Sequence, residues 1–461
     1  MDIQDFTYAI KGGASANLVP ITTIISHDDI DEYREQMYNI IFTKDEFQSK
    51  YPNLDITKFY YTNSPFTPIV YFDKDKIIYK ELPFSGKEYF KFNDNLTEEE
   101  EIIKIINVFE KTYNAKDWTT LLTSPEGAMR FSLLNTAIEN NLIDQQDLYK
   151  VFISIYTKTD FGSHELTKES MNKILNSKTE EQKQNTKNIL SAFGKTITIY
   201  RGEGDRSSDF TTSFSWTTDI NVANFFATRL AKDSARIIKA RVKRADIIEY
   251  IDHRDEHEIL VDPKNVEVIN IDNLYHFTDV SSEYIDEGSF KDFLNYKTLL
   301  KHIIPFKNDL EGHGKIHCLR VLLYSILIAN YEGVTDLYDR DILFKASISH
   351  DMARDNDSED LLHGEQSYQA LVNALSMTED KDLEFLMKYH SRPDRQGINA
   401  LKSFPKDRQQ NLKKLLFILK DADALDRVRF GIRALDMNFL RLDFSKKLTF
   451  VAIQALKGIE L

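Results

Sequence analysis

Between residues 96 and 190 apolar positions return every three to four residues, through IIKIINVFEKTY and again through YKVFISIY. That period puts them on one side of an α-helix, and Thr97 followed by Glu100 is a capping pair that starts one, so the spacing predicts a run of helices. Over residues 196–270 the text changes to TITIYRG, RIIKARVKR and EILVDP, separated by Gly, Asp and Ser. These runs predict strands, with the basic residues of RIIKARVKR on a solvated face. Before residue 95, PIVYFD and KIIYKEL also read as strands, among turn residues and many aromatics. Around 275–300 the period weakens and Ser, Asp and Gly accumulate, which predicts a linker. From Tyr296 onward nearly every segment is helical. The most apolar run, Val321 to Ala329, is about half the ~20 residues a membrane span needs, and so predicts a core helix. The pattern as a whole predicts a multidomain α+β chain: a mixed α/β region over 1–95, a helical and β-rich domain over 96–272, and an all-α domain over 296–461.

Composition narrows the function classes. The chain has 461 residues, beyond the ~250–300 at which one core stops growing. Hydrophobic residues at 42% and charged residues at 29% fit a chain that folds throughout. Acids outnumber bases 73 to 59, a net charge of −14, which disfavours nucleic acid and anionic lipid as partners. A phosphate-bearing ligand must therefore be captured by local cations or metal. The opening MDIQDFTYAIKGG carries acids and no apolar stretch, which predicts a cytoplasmic protein, or one delivered into a host cell without a signal peptide. Cys318 is the one cysteine, so no intrachain disulfide is available.

Three pieces of the β-rich text carry chemistry. Tyr200-Arg201-Gly202 closes an alternating run, and an arginine there can pair bidentately with a pyrophosphate. A hydroxyl-rich stretch follows, with Ser213, Ser215, Trp216 and Thr217, leading into Asn221 to Ala227. In the third, Glu256 and Glu258 lie two apart, hence on one face of a strand, where two carboxylates repel unless a function or cation offsets them. In this order the pieces resemble the Arg-Ser-Glu, Glu-x-Glu class of ADP-ribosyltransferases, over roughly residues 100–270. The resemblance implies a split β-sheet core with a helical subdomain, NAD as substrate and a protein acceptor, arginine by default. It implies Arg201 as phosphate anchor, with Gly202, Ser213, Ser215, Trp216 and Thr217 shaping the NAD pocket. Glu258 would be the catalytic acid and Glu256 would orient the nucleophile. Trp216 between the hydroxyls leaves Ser213 as an alternative to Ser215.

The helical text carries a second set. Five of the 11 histidines fall between His313 and His390. His350-Asp351 follows the apolar run ILFKASIS, which would bury an imidazole and a carboxylate together, and a divalent metal is an economical partner for both. The series His317, His350-Asp351, His363, His390, Asp423 resembles the HD phosphohydrolase superfamily over most of 296–440. The resemblance implies a first ion on His317, His350, Asp351 and Asp423, with His363 and His390 where two-metal members carry extra ligands. The ions would be Mn, Fe, Zn or Mg, and the substrate a nucleotide or other phosphoester. Arg320 and Arg354, one turn past His317 and Asp351, suit phosphate oxygens or structural ion pairs equally. Asp421 falls on another helical face, and Asp426, beside Arg427 and Arg429, reads as solvated or ion-paired surface.

Overall fold

Alternating text becomes antiparallel sheet and three-to-four spacing becomes helix, in two units. The computed structural model describes residues 18–27, 42–62, 68–85, 88–159, 165–252, 254–303, 312–354 and 360–458. The N-terminal stretch behind the export expectation lies outside them. The chain divides into Met1–Ile189 and Leu190–Leu461. The helical stretch from residue 96 thus belongs almost wholly to the first unit, whereas the sequence grouped it with the later strands.

In the first unit, strands β1 (Val19–Pro20), β2 (Phe59–Tyr61), β3 (Ile69–Asp73) and β4 (Ile78–Glu81) form an antiparallel meander, followed by the ribbon of β5 (Phe84–Ser85) and β6 (Glu88–Tyr89). Phe47, Tyr51, Phe59 and Phe84 pack edge-on or tilted in its core. The helix Glu98–Asn114 starts at the expected box: Glu100 N donates to Thr97 Oγ1, and Thr97 N donates to Glu100.

The second unit opens with a six-stranded antiparallel sheet. Its strands are β7 (Thr196–Gly204), β8 (Ser215–Thr217), β9 (Ala235–Lys243), β10 (Ile247–Ile251), β11 (Glu258–Val261) and β12 (Val266–Asn273), ordered β10-β11-β8-β7-β9-β12. Strands β7 and β9 pair along their whole length, from Thr196 opposite Lys243 to Gly204 opposite Ala235. By contrast β7 and β8 meet only at Tyr200 opposite Thr217. Lys239, Arg241 and Lys243 face solvent, as the sequence predicts. The helix Ile220–Thr228 lies directly on β7: a Cβ on Gly202 would sit 1.8 Å from the Ala223 carbonyl oxygen. Only glycine permits that approach.

The rest is helical. Where a linker was expected, helices Phe277–Tyr284 and Glu287–His302 bury Val280 and Leu300 in the bundle core. The Ser and Asp that weakened the period are caps: Ser289 N donates to Asp286 Oδ1. The central helix Lys315–Tyr331 is buried from His317 to Ala329 and packs against Glu287–His302, Leu337–Ser349 and Lys406–Leu425, with His363–Leu375 and Lys381–His390 packed beyond them. Each fully buried Leu or Ile there contributes roughly 1.5–3 kcal/mol. No described helix is long and apolar enough to cross a membrane. Sheet and bundle share a small core, in which Ala223, Ala227, Ile237 and Leu274 meet Met437 and Phe450. Polar contacts also join them, with Thr449 Oγ1 to Asn224 Oδ1 at 2.8 Å and Asn221 Nδ2 to Asp436 Oδ1 at 2.9 Å.

Candidate metal centre

Five helix ends converge in the bundle. His317 lies in the first turn of Lys315–Tyr331, and His350-Asp351 follow Ser349 at the end of its helix. His363 opens one helix, His390 closes another, and Asp423 stands near the end of Lys406–Leu425. The four histidines and Asp351 are buried, while the Asp423 side chain is 34% exposed and forms the open face.

Their atoms form two groups joined by one carboxylate. His317 Nε2 is 3.2 Å from His350 Nε2, 3.5 Å from Asp351 Oδ2 and 3.4 Å from Asp423 Oδ1. The other oxygen, Asp351 Oδ1, is 3.0 Å from His363 Nε2 and 3.8 Å from His390 Nε2, and those two nitrogens are 2.9 Å apart. The chemistry of these contacts follows from the far side of each ring. His317 Nδ1 donates to Asp426 Oδ2 at 2.7 Å, His350 Nδ1 to Ser347 O at 3.0 Å and His390 Nδ1 to Met387 O at 2.6 Å. His363 Nδ1 donates to Asp360 O. Carbonyls and carboxylates accept only, so in each neutral ring the proton sits on Nδ1 and Nε2 carries a lone pair. With all four rings neutral, four lone pairs and two carboxylates would face one another in a buried space; a proton held by His317 against Asp351 and Asp423 relieves that repulsion until a metal cation replaces it. Asp351 Oδ1 is buried and accepts no hydrogen bond among the described residues. Ligands ~2.0–2.2 Å from one ion sit roughly 3.0–3.6 Å apart, and most of the observed separations fall in or near that range.

Residues 314–428 match the HD domain family.

No curated protein and no solved structure matches the chain. An HD domain indicates a metal-dependent phosphohydrolase, and the triads His317–His350–Asp351 and Asp351–His363–His390 are each close enough to hold an ion. Electrostatics within the HD domain agree. Burial works against a charge on His317, but hydrogen bonds to Asp351, Asp423 and Asp426 outweigh it and raise the ring to about 10. At His350 burial dominates and pushes the ring down to about 3, leaving it neutral. Burial opposes ionisation of Asp351 and Asp423 as well, yet the facing histidines hold both carboxyls well below the usual range.

The sequence misplaced Asp426. It is fully buried, not surface: the helix ends at Leu425, a 3-10 turn carries Asp426 inward, and its carboxylate orients His317 while pairing with Arg320 Nε at 2.5 Å and Arg429 Nη1 at 3.4 Å. The buried run ahead of it, ending LKDADAL, was the one available signal. Arg320 is therefore a structural partner. Arg354 lies 3.7 Å from Asp351 Oδ1. Asp421 faces away and accepts from the Arg441 and Leu442 backbone N–H groups.

The sheet residues assemble differently from the expectation. Ser215 and Thr217 lie on one face of β8, and Glu258 pairs opposite Thr217 on β11, so Ser215 Oγ reaches the Glu258 carboxylate and donates to it. Ser213 precedes the strand and is buried, with its Oγ 3.4 Å from Ser215 N. Trp216, expected in the NAD pocket, points the other way and is buried among Ile199, Ile238 and Ile259, because alternate residues of a strand face opposite sides. Gly202, expected at the pocket, lies beneath the helix Ile220–Thr228. Arg201, expected as phosphate anchor, has its guanidinium engaged by Glu203 Oε1 at 2.9 Å, Ser215 O at 2.9 Å and Ser208 O at 2.7 Å. By alternation it shares a face of β7 with Ile199, whereas Tyr200 shares the face of Thr217 and Glu258. Glu256, 12% exposed at its side chain, lies beside Arg254 and Arg433.

Proposed function

We propose that the HD domain hydrolyses a phosphomonoester or phosphodiester, of a nucleotide or of a nucleotide-modified target, using two divalent ions on either side of Asp351. The observation that carries this reading is the division of the Asp351 carboxylate, one oxygen toward His317 and His350, the other toward His363 and His390. Bound ions, whether Mn, Fe, Zn or Mg, supply a water acidic enough to attack near neutral pH and positive charge for the phosphate oxygens. The chain's own residues do the rest. Asp426 and the Ser347, Asp360 and Met387 carbonyls fix each imidazole with its lone pair inward. The partly exposed side of Asp423 admits substrate, and Arg354 beside Asp351 offers a guanidinium to its phosphate. Stripping metal from the full chain, then restoring Mn and supplying bis(p-nitrophenyl) phosphate and free nucleotides, tests this. Activity that returns with Mn and is lost in Asp351→Asn is expected; metal-independent hydrolysis overturns it.

A second reading is favoured by the hydrogen bond from Ser215 to Glu258 beside Glu256: transfer of ADP-ribose from NAD to a protein acceptor, arginine by default. In that reaction the bond from the ribose C1′ to nicotinamide breaks, nicotinamide leaves with the bonding pair, and Glu258 faces the resulting cation. An acceptor nitrogen then bonds to C1′ and releases its proton to Glu256. The role of Arg201 becomes that of a brace holding the β8 backbone, and the phosphates need another cation. Nicotinamide release by the full chain, abolished in Glu258→Gln, is expected; release unaffected by that change overturns the reading. With a modified target in hand, its added mass in His350→Ala/Asp351→Ala compared with the unaltered chain shows whether the HD domain trims the adduct.

A further inference from the structure

The segment that leads from Glu256 to Glu258 is held in an unfavourable backbone. Arg254, Asp255 and His257 have φ of 63°, 54° and 45°, left-handed values at three residues none of which is glycine. L-residues rarely adopt that conformation, and it persists only where surrounding groups over-determine it. Part of the support comes from the sheet: Thr217 Oγ1 donates to Glu256 O at 2.8 Å, Thr218 N donates to His257 O at 3.1 Å, and Tyr250 Oη lies 3.0 Å from His257 Nδ1. The rest comes from the bundle. Arg433 Nη1 donates to the Arg254 carbonyl at 3.3 Å, and Arg433 Nη2 stands 3.6 Å from Glu256 Oε1. Its guanidinium packs 4.5 Å above the ring of Phe225, which fixes its direction. Arg254 itself also pairs with Glu256, at 3.4 Å.

We infer that Arg433, contributed by the chain after the HD-matched region, is a positioning residue that locks Arg254–Glu258 so that the Glu256 carboxylate faces an incoming acceptor. The inference rests on the transferase reading for its chemistry, in which Glu256 takes the acceptor proton as the new C1′–N bond forms, but not for its geometry. The sheet site is complete only with the bundle docked upon it. Arg433 is also tied to the metal centre by sequence: Asp426, which orients His317, begins the turn Asp426–Phe430, and Arg433 lies in the next turn, Ile432–Ala434.

Two readouts on the full-length chain test this with Arg433→Ala, Arg433→Lys and the unaltered protein. The first is amide hydrogen exchange in a peptide covering 254–261. Loss of a charge-assisted hydrogen bond should speed exchange there on the order of tenfold in Arg433→Ala, with Arg433→Lys closer to the unaltered chain. The second is the ratio of ADP-ribose transferred to agmatine, as guanidino probe, to NAD hydrolysed by water. That ratio should fall severalfold in Arg433→Ala while total nicotinamide release changes little, a split that general destabilisation would not produce. Unchanged loop exchange and an unchanged ratio in Arg433→Ala overturn the inference. If the unaltered chain releases no nicotinamide, the transferase reading fails, and the exchange measurement still decides whether Arg433 holds the loop.

Discussion

Gly364 is the position where a single methyl group should separate the two halves of the metal centre. A Cβ added there would lie 2.1 Å from the Met387 carbonyl oxygen and 3.1 Å from the His390 ring. A relaxed carbon-to-oxygen contact is about 3.3 Å, so Gly364→Ala must push the helices His363–Leu375 and Lys381–His390 apart by roughly 1 Å. The Met387 carbonyl is also the group that accepts from His390 Nδ1 at 2.6 Å, so the ring loses its orientation as well as its place. His363 Nε2 and His390 Nε2, now 2.9 Å apart, would open to about 4 Å, well beyond the ~0.2 Å that a metal site tolerates. Overpacking should cost about 1–3 kcal/mol, which the large bundle core can absorb without unfolding. Metal analysis of the purified variant should find the His317 and His350 ion retained and the His363 and His390 ion lost. Phosphoesterase activity should fall about 100-fold, as expected for reacting groups misplaced by an ångström. A variant that melts cooperatively, keeps both ions and keeps full activity would refute the reasoning.

Other outcomes follow from the same arrangement. Arg320→Leu leaves the buried Asp426 carboxylate with only His317 and Arg429 as partners and should destabilise the chain by about 1.5–3 kcal/mol, read by thermal or urea unfolding. Because the surrounding carboxylates raise His317 to about 10, metal uptake at pH 7 must expel roughly one proton, measurable by calorimetry in buffers of different ionisation enthalpy. In β10, burial pushes Glu249 up to about 7, above its unfolded value near ~4.3, so its contribution to stability is present at low pH and lost as pH rises through about 7. Glu249→Gln should therefore match the unaltered chain at pH 4 and exceed it at pH 8 by up to about 3 kcal/mol, seen as a pH-dependent difference in melting temperature.

The parts of this protein that were legible in its sequence are those where local chemistry contradicts its surroundings. His350-Asp351 after ILFKASIS, and His317 at the head of the most apolar helix, stood out because ionisable groups in buried text need partners, and the structure brings them together. Asp426 was hidden for the opposite reason: flanking arginines made it look solvated, and only the helix end at Leu425 turns it inward. Helical periodicity identified the helices from Glu98 onward but says nothing of which partner covers their apolar faces, and so nothing of the division of the chain after Ile189. The caps at Asp286 and His276 imitate a linker because the Ser, Thr and Asp that start helices are also loop residues. Arg201 and Trp216 show the limit of reading a motif without its strand register: alternation sends Trp216 into the core and commits the arginine to Glu203 and Ser208.

The central claim is that one buried carboxylate serves two ions. Anomalous diffraction from crystals of the full chain grown with Mn measures this directly. Two peaks are expected, one among His317, His350, Asp351 and Asp423, the other among Asp351, His363 and His390. No peak at either position, or Mn bound only elsewhere on the acidic surface, would contradict it.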